Sequence, residues 1–220
     1  VAEDDGGVLR ATVGGVLMVT EHPEEFIPTA YVQAVCYRGT ERNASYQLDA
    51  KDITGPLDSQ VKDACQFVER NMRVYAIKAP YRIETPQFSM NAVFEAVVNA
   101  VAHRDYSIYG SRIRLHLFAD RLELFSPGTI PNTMTIDSLS ERQSARNELL
   151  SSLLAHCPMN VNAVGSRRSF IMDRRGEGVP IILAESEKLS GRRPEYHLID
   201  DAELLLTIYA AKLPHGEDSL

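Results

Sequence analysis

Apolar positions recur at helical spacing in two long stretches. In the first, Leu57, Val61, Ala64, Cys65, Val68 and Met72 form a stripe with charges opposite, which predicts a helix from Pro56-Leu57-Asp58 to about Met72. In the second, Ala96, Val97, Ala100 and Val101 give the apolar face of a helix that follows Ser89, its expected N-cap. Strict alternation appears from Ser111 to Phe118, with Ile113, Leu115 and Leu117 facing one way and Arg112, Arg114 and His116 the other. Ala119-Asp120 then turns the chain into Arg121 to Phe125, a β-hairpin. Tyr31 to Arg38 and Tyr46 to Ile53 read as strands, and Val74 to Glu84 as extended chain restricted by Pro80 and Pro86. Helices are expected at Ala145 to His156 and Val179 to about Leu189, followed by strands at Glu195 to Ile199 and Glu203 to Ala210. Ala11 to Thr20 is apolar, and periodicity does not choose there between a strand and a buried helix. Ser126 to Pro131 and Pro158 to Arg168 read as loops. The order of elements gives an α+β class.

Composition narrows the setting. The chain has 220 residues, 44% hydrophobic and 24% charged, enough for one large domain or two small ones with a real core. No apolar run is long enough for a membrane span, and no basic-then-apolar leader opens the chain, whose first residue is Val, as in a fragment or processed piece. Cys36, Cys65 and Cys157 are odd in number and scattered, which fits a reducing cytoplasm rather than a disulfide framework or a thiolate zinc site. A net charge of −7 argues against broad charge-driven nucleic-acid binding. A local exception is the run of Arg142, Arg146, Arg167, Arg168, Arg174 and Arg175.

The chemistry concentrates on the second helix. Glu95, Asn99 and His103 stand at i, i+4 and i+8, one polar stripe along its side. A carboxylate and an amide one turn apart can set a general base and a metal-binding oxygen against the same ligand, although the spacing alone better suits a solvated face. His103-Arg104-Asp105 resembles a kinase catalytic loop, but Gly110 occupies the position that would need Asn, and no Asp-Phe-Gly follows. His103 and Asp105 are expected instead to cap and tether the helix end. His116 and the His156-Cys157 pair lack metal-ligand spacing and are expected to be structural or solvated. There is no G-x-S-x-G or Walker A pattern.

Four motifs in order carry a resemblance. They are Glu95-Ala96-Val97-Val98-Asn99-Ala100-Val101-Ala102-His103-Arg104-Asp105-Tyr106-Ser107, Arg121-Leu122-Glu123-Leu124-Phe125-Ser126-Pro127-Gly128, Arg146-Asn147, and Arg175-Gly176-Glu177-Gly178-Val179-Pro180. Over about residues 74 to 211 the chain resembles the RecG-related, GHKL-like ATPase domain of predicted bacterial transcriptional regulators. Residues 11 to 72 resemble, less specifically, the C-terminal half of the AlbA-type domain shared with Schlafen proteins. The resemblance implies a GHKL (Bergerat-like) α/β sandwich with a mixed sheet over 74–220, plus a small α+β piece over 1–73. It implies ATP and Mg²⁺ as cofactors, with Asn99 as metal ligand, Glu95 as the base activating water, and Gly176 and Gly178 at the phosphates. Ser126, Gly128 and Arg146 complete the implied nucleotide site. It also implies a homodimer, DNA as a partner of the full-length protein, and often a following winged helix.

The chain departs from that pattern where the superfamily carries an adenine-binding Asp. Ser126 stands there, and only Gly128 remains of the loop's glycines. A serine hydroxyl accepts from an exocyclic amine but has neither fixed charge nor second oxygen. Three readings follow. One is a regulator piece whose degenerate domain binds a nucleotide or serves as a dimerisation scaffold; another is an active Mg-dependent ATPase with Glu95 as base. The third is a nucleic-acid-binding module using the Arg-rich segment 142–175.

Overall fold

A computed structural model describes residues 2–3, 6–78, 81–130, 134–141, 144–159, 169–173 and 176–212. In chain order these form β1 (Ala2–Glu3), β2 (Leu9–Arg10), α1 (Val13–Val19), β3 (Val32–Tyr37), β4 (Gln47–Ile53), α2 (Leu57–Asn71), β5 (Val74–Lys78) and β6 (Arg82–Pro86). Then come α3 (Met90–His103), β7 (Ile113–Leu117), β8 (Arg121–Pro127), α4 (Glu148–Leu154), α5 (Gly178–Ser190), β9 (Glu195–Ile199) and β10 (Glu203–Tyr209). The class is α+β, built on a mixed six-stranded sheet in the order β4-β3-β7-β8-β10-β9. β3 and β7 run parallel, and every other neighbouring pair in that sheet is antiparallel. The sheet therefore draws strands from both sides of residue 73.

The alternation read from the sequence sets the sheet's two faces. Register brings Val32, Ala34 and Cys36 beside Ile113, Leu115 and Leu117, and these beside Leu122 and Leu124. All are buried in one core with the apolar stripes of α2 and α3 and with Ile182 of α5. At roughly 1.5–3 kcal/mol for each large side chain removed from water, this face supplies most of the folding drive. On the other face Val35, Tyr37 and Phe118 form a separate small cluster. Here the structure is sharper than the expectation for His116, which is only 1% exposed. Its ring meets the edges of Tyr37 and Phe118, which stack at 5.0 Å. Burial, with Arg42 and Arg114 nearby, pushes its pKa down to about 4.

Local signals explain several boundaries. Ala11 to Thr20 resolves as a helix because the Thr12 side chain accepts from the Gly15 N–H at its N-terminus. Ser89 caps α3 as expected, accepting from Ala92 N–H. Buried Gln87 fixes the approach to that helix: its amide donates to the Phe118 and Ala119 carbonyls and accepts from Arg73 N–H. Val74 to Glu84 is a two-stranded hairpin, β5 with β6, rather than one extended run. The expected helix at Ala145 to His156 is shorter, beginning at Glu148, because the Asn147 side chain is drawn to the end of α3. The expected loop from Pro158 to Arg168 falls almost wholly outside the described residues, as do Arg142, Arg174 and Arg175. Among the described residues no helix is long and apolar enough to cross a membrane.

Candidate functional site

A cavity of about 660 Å³ opens beside α3, within the usual range for small-molecule sites. Its wall includes Glu95, Asn99, Ser126, Gly128, Arg146, Gly176 and Gly178, the residues that the resemblance assigns to a nucleotide site; Arg174 and Arg175, which could add bonds to the phosphates, lie outside the described residues. They come from α3, the end of β8, the turn into α4 and the start of α5.

The tightest juncture lies where α5 begins. A Cβ placed on Gly178 would sit 3.0 Å from Glu95 Oε2, and 3.1 and 3.3 Å from the amide nitrogen and oxygen of Asn99. Only a glycine lets the backbone at the N-terminus of α5 approach the α3 stripe this closely. Glu95 is 5% exposed and shares this corner with Asn99, whose amide makes no hydrogen bond among the described residues. Helix N-termini favour anions through free N–H groups and the dipole, and Gly176, at φ 70°, bends the chain into this one. Among the described residues no three His, Cys, Asp or Glu side chains gather to hold a metal ion. The oxygens of Asn99 and Glu95 suit a cation shared with a bound phosphate, since Mg²⁺ commonly takes one or two protein ligands.

Further along α3, Ser126 Oγ donates to the Ala100 carbonyl at 3.0 Å. Its proton is thereby committed, and it offers the cavity lone pairs only. Gly128, at φ 119°, passes so near Asp105 that a Cβ would lie 3.0 Å from that residue's own Cβ. Its N–H donates to the Ala202 carbonyl in the β9–β10 turn at 2.8 Å. Arg146 lines the cavity, yet its guanidinium already donates to Asp105 at 3.3 Å and to the Thr129 carbonyl. It braces the loop after β8 as well as contributing positive charge to the wall.

The end of α3 differs in part from expectation. Asp105 is a tether: it accepts from the Ser107 N–H and hydroxyl, which hold its carboxyl below the usual range with help from Arg146. The capping is done by Asn147, whose amide donates to the Ala102 and Arg104 carbonyls at 2.9 and 2.8 Å. His103 does not cap. Its ring lines the cavity and makes no hydrogen bond among the described residues, and burial beside Arg146 lowers its pKa. Sequence reasoning also missed Tyr196, a partly buried phenol in the same wall. Its inward position on β9, opposite Leu206, was the available signal.

No curated protein matches the chain. The fold is similar to that of the crystal structure of the DIP2311 protein from Corynebacterium diphtheriae, with a TM-score of 0.72 at 20% sequence identity. That similarity takes in 96% of this chain and 39% of the other, so this chain spans about two fifths of its length. Residues 110–208 match the family model described as "Putative ATP-dependent DNA helicase recG C-terminal". The match covers Ser126, Gly128, Arg146, Gly176 and Gly178 and begins after α3, and it makes the segment from β7 to β10 similar to an ATPase-like domain.

Proposed function

We propose that this cavity binds a nucleoside triphosphate with Mg²⁺. Asn99 supplies an oxygen to the cation, the backbone at Gly176–Gly178 takes the phosphates, and Ser126 accepts from the base. The observation that carries the reading is the approach of the Gly178 backbone, about eighty positions along the chain, so near Glu95 and Asn99 that a Cβ there would crowd both, inside a ligand-sized cavity. Bound Mg²⁺ would neutralise phosphate charge; the chain's part is to position the triphosphate against α5 and exclude water. The ATPase-like family match supports the same reading. In the wider regulator that the motifs suggest, nucleotide occupancy is the signal, read by a homodimer, with DNA bound elsewhere in the full protein.

Turnover is a separate reading, favoured by the burial of Glu95 in the same corner. Glu95→Gln would keep binding and abolish phosphate release if Glu95 is the base. The binding proposal is tested by thermal shift with ATP, ADP and GTP, each with and without Mg²⁺. At a ligand concentration one hundred times Kd the gain is about 2.7 kcal/mol, or roughly 5–10 °C for a chain of this size. A Mg-dependent rise with ATP is expected, and no shift with any nucleotide would overturn the proposal.

A further inference from the structure

His103 stands two turns beyond Glu95 on the same stripe, about 12 Å along the helix at 1.5 Å per residue. If phosphates lie at the Glu95–Gly178 end, the His103–Ser126 end faces the nucleoside. This inference rests on the nucleotide reading above. Two polar groups at that end have a defined sense. Ser126 can only accept, because its proton goes to Ala100. The Nδ1 of His103 is buried without a partner among the described residues, and the residue lines the cavity. An orphaned buried N–H costs more than an under-satisfied acceptor, so the neutral ring carries its proton on Nε2. His103 therefore offers the cavity a donor one helical turn along α3 from Ala100, the residue that Ser126 bonds.

A donor next to an acceptor complements a ring nitrogen next to an exocyclic amine. We propose that His103 is a specificity-determining residue that donates from Nε2 to a ring nitrogen of an aminopurine, paired with acceptance by Ser126 from the amine. Burial and the neighbouring Arg146 keep the ring neutral, which preserves this pattern near pH 7. His103 thus shares the base recognition that a single carboxylate would otherwise perform.

The test is calorimetric titration of the protein with ATP, ITP (which has oxygen in place of the amine) and inorganic tripolyphosphate, all with Mg²⁺. Wild type should prefer ATP to ITP. His103→Phe should weaken ATP at least tenfold and narrow the ATP/ITP ratio while leaving tripolyphosphate unchanged. His103→Gln, whose amide can donate from the Nε2 position, should recover most of the loss. Unchanged ATP affinity and ratio in His103→Phe would overturn the proposal, as would a parallel loss of ATP and tripolyphosphate, which marks a structural role. A wild type that binds tripolyphosphate without any preference for ATP would also overturn it. A wild type that binds none of the three would overturn the nucleotide reading itself.

Discussion

The middle and the C-terminal end of α3 use polar residues in opposite ways. In the middle turns, Glu95 and Asn99 face the cavity and the backbone of Gly178. At the C-terminus, Arg104 is 0% exposed and donates to the Thr29 carbonyl, the Thr29 hydroxyl and the Ser111 carbonyl at 2.6–2.8 Å. Its guanidinium lies 4.7 Å from the centre of the Tyr106 ring, and the Tyr106 hydroxyl donates to Val101. Asp105 and Asn147 complete the anchor. One continuous motif thus contains a cavity-facing half and a structural half, and His103 marks the junction. The lesson is that a hallmark string need not be functional throughout. Arg104-Asp105-Tyr106 holds α3 in place so that Glu95, Asn99 and His103 meet the cavity at a fixed depth.

Substitutions should separate the halves, beginning with the largest effect. Arg104→Ala removes a buried charge and takes from the Ser111 carbonyl and the Thr29 hydroxyl their donor among the described residues, and should lower unfolding free energy by about 3–5 kcal/mol in urea. A loss below about 1 kcal/mol would dissolve the distinction between anchor and site.

The next effect lies on the far face of the sheet and controls for damage that does not reach the cavity. His116 in the folded protein refuses a proton until about pH 4, while the unfolded chain takes one near 6.5. Between those values the unfolded state binds more protons, so this contribution is complete above 6.5 and shrinks as pH falls toward 4. The loss should approach about 3 kcal/mol at 1.4 kcal/mol per pH unit, and His116→Phe should abolish that part of the pH dependence. Urea unfolding at pH 7, 5.5 and 4.5 measures it.

Asn147→Ala should cost about 1–2 kcal/mol by freeing two carbonyls at the end of α3, with nucleotide affinity retained when measured by titration. Gly178→Ala inverts that pattern. Alanine favours a helix by up to about 1 kcal/mol, but its Cβ would press on Glu95 and Asn99. Stability should move by no more than about 1 kcal/mol while nucleotide affinity falls more than tenfold.

Much of α3 could be read from the chain alone. Its apolar stripe, its Ser89 cap and the common face of Glu95, Asn99 and His103 all follow from helical spacing. Periodicity could not supply the distant partners. Arg104 meets Thr29, 75 residues away in sequence, and Asn147 meets Ala102 through a side chain that local propensity would assign to a helix start. The alternation of β7 revealed two faces but not what covers the second, so His116 read as polar although Tyr37 and Phe118 enclose it. The glycines at 128, 176 and 178 marked loops and a helix start; that Gly178 abuts the α3 stripe required the fold.

The most direct measurement is isothermal titration of MgATP into wild type and Asn99→Ala, with urea unfolding of both recorded alongside. Wild type should bind, Asn99→Ala should lose at least tenfold, and the two unfolding free energies should agree within about 0.5 kcal/mol. Equal affinities in the two proteins, or no binding to wild type, would overturn the assignment of Asn99 to a nucleotide site.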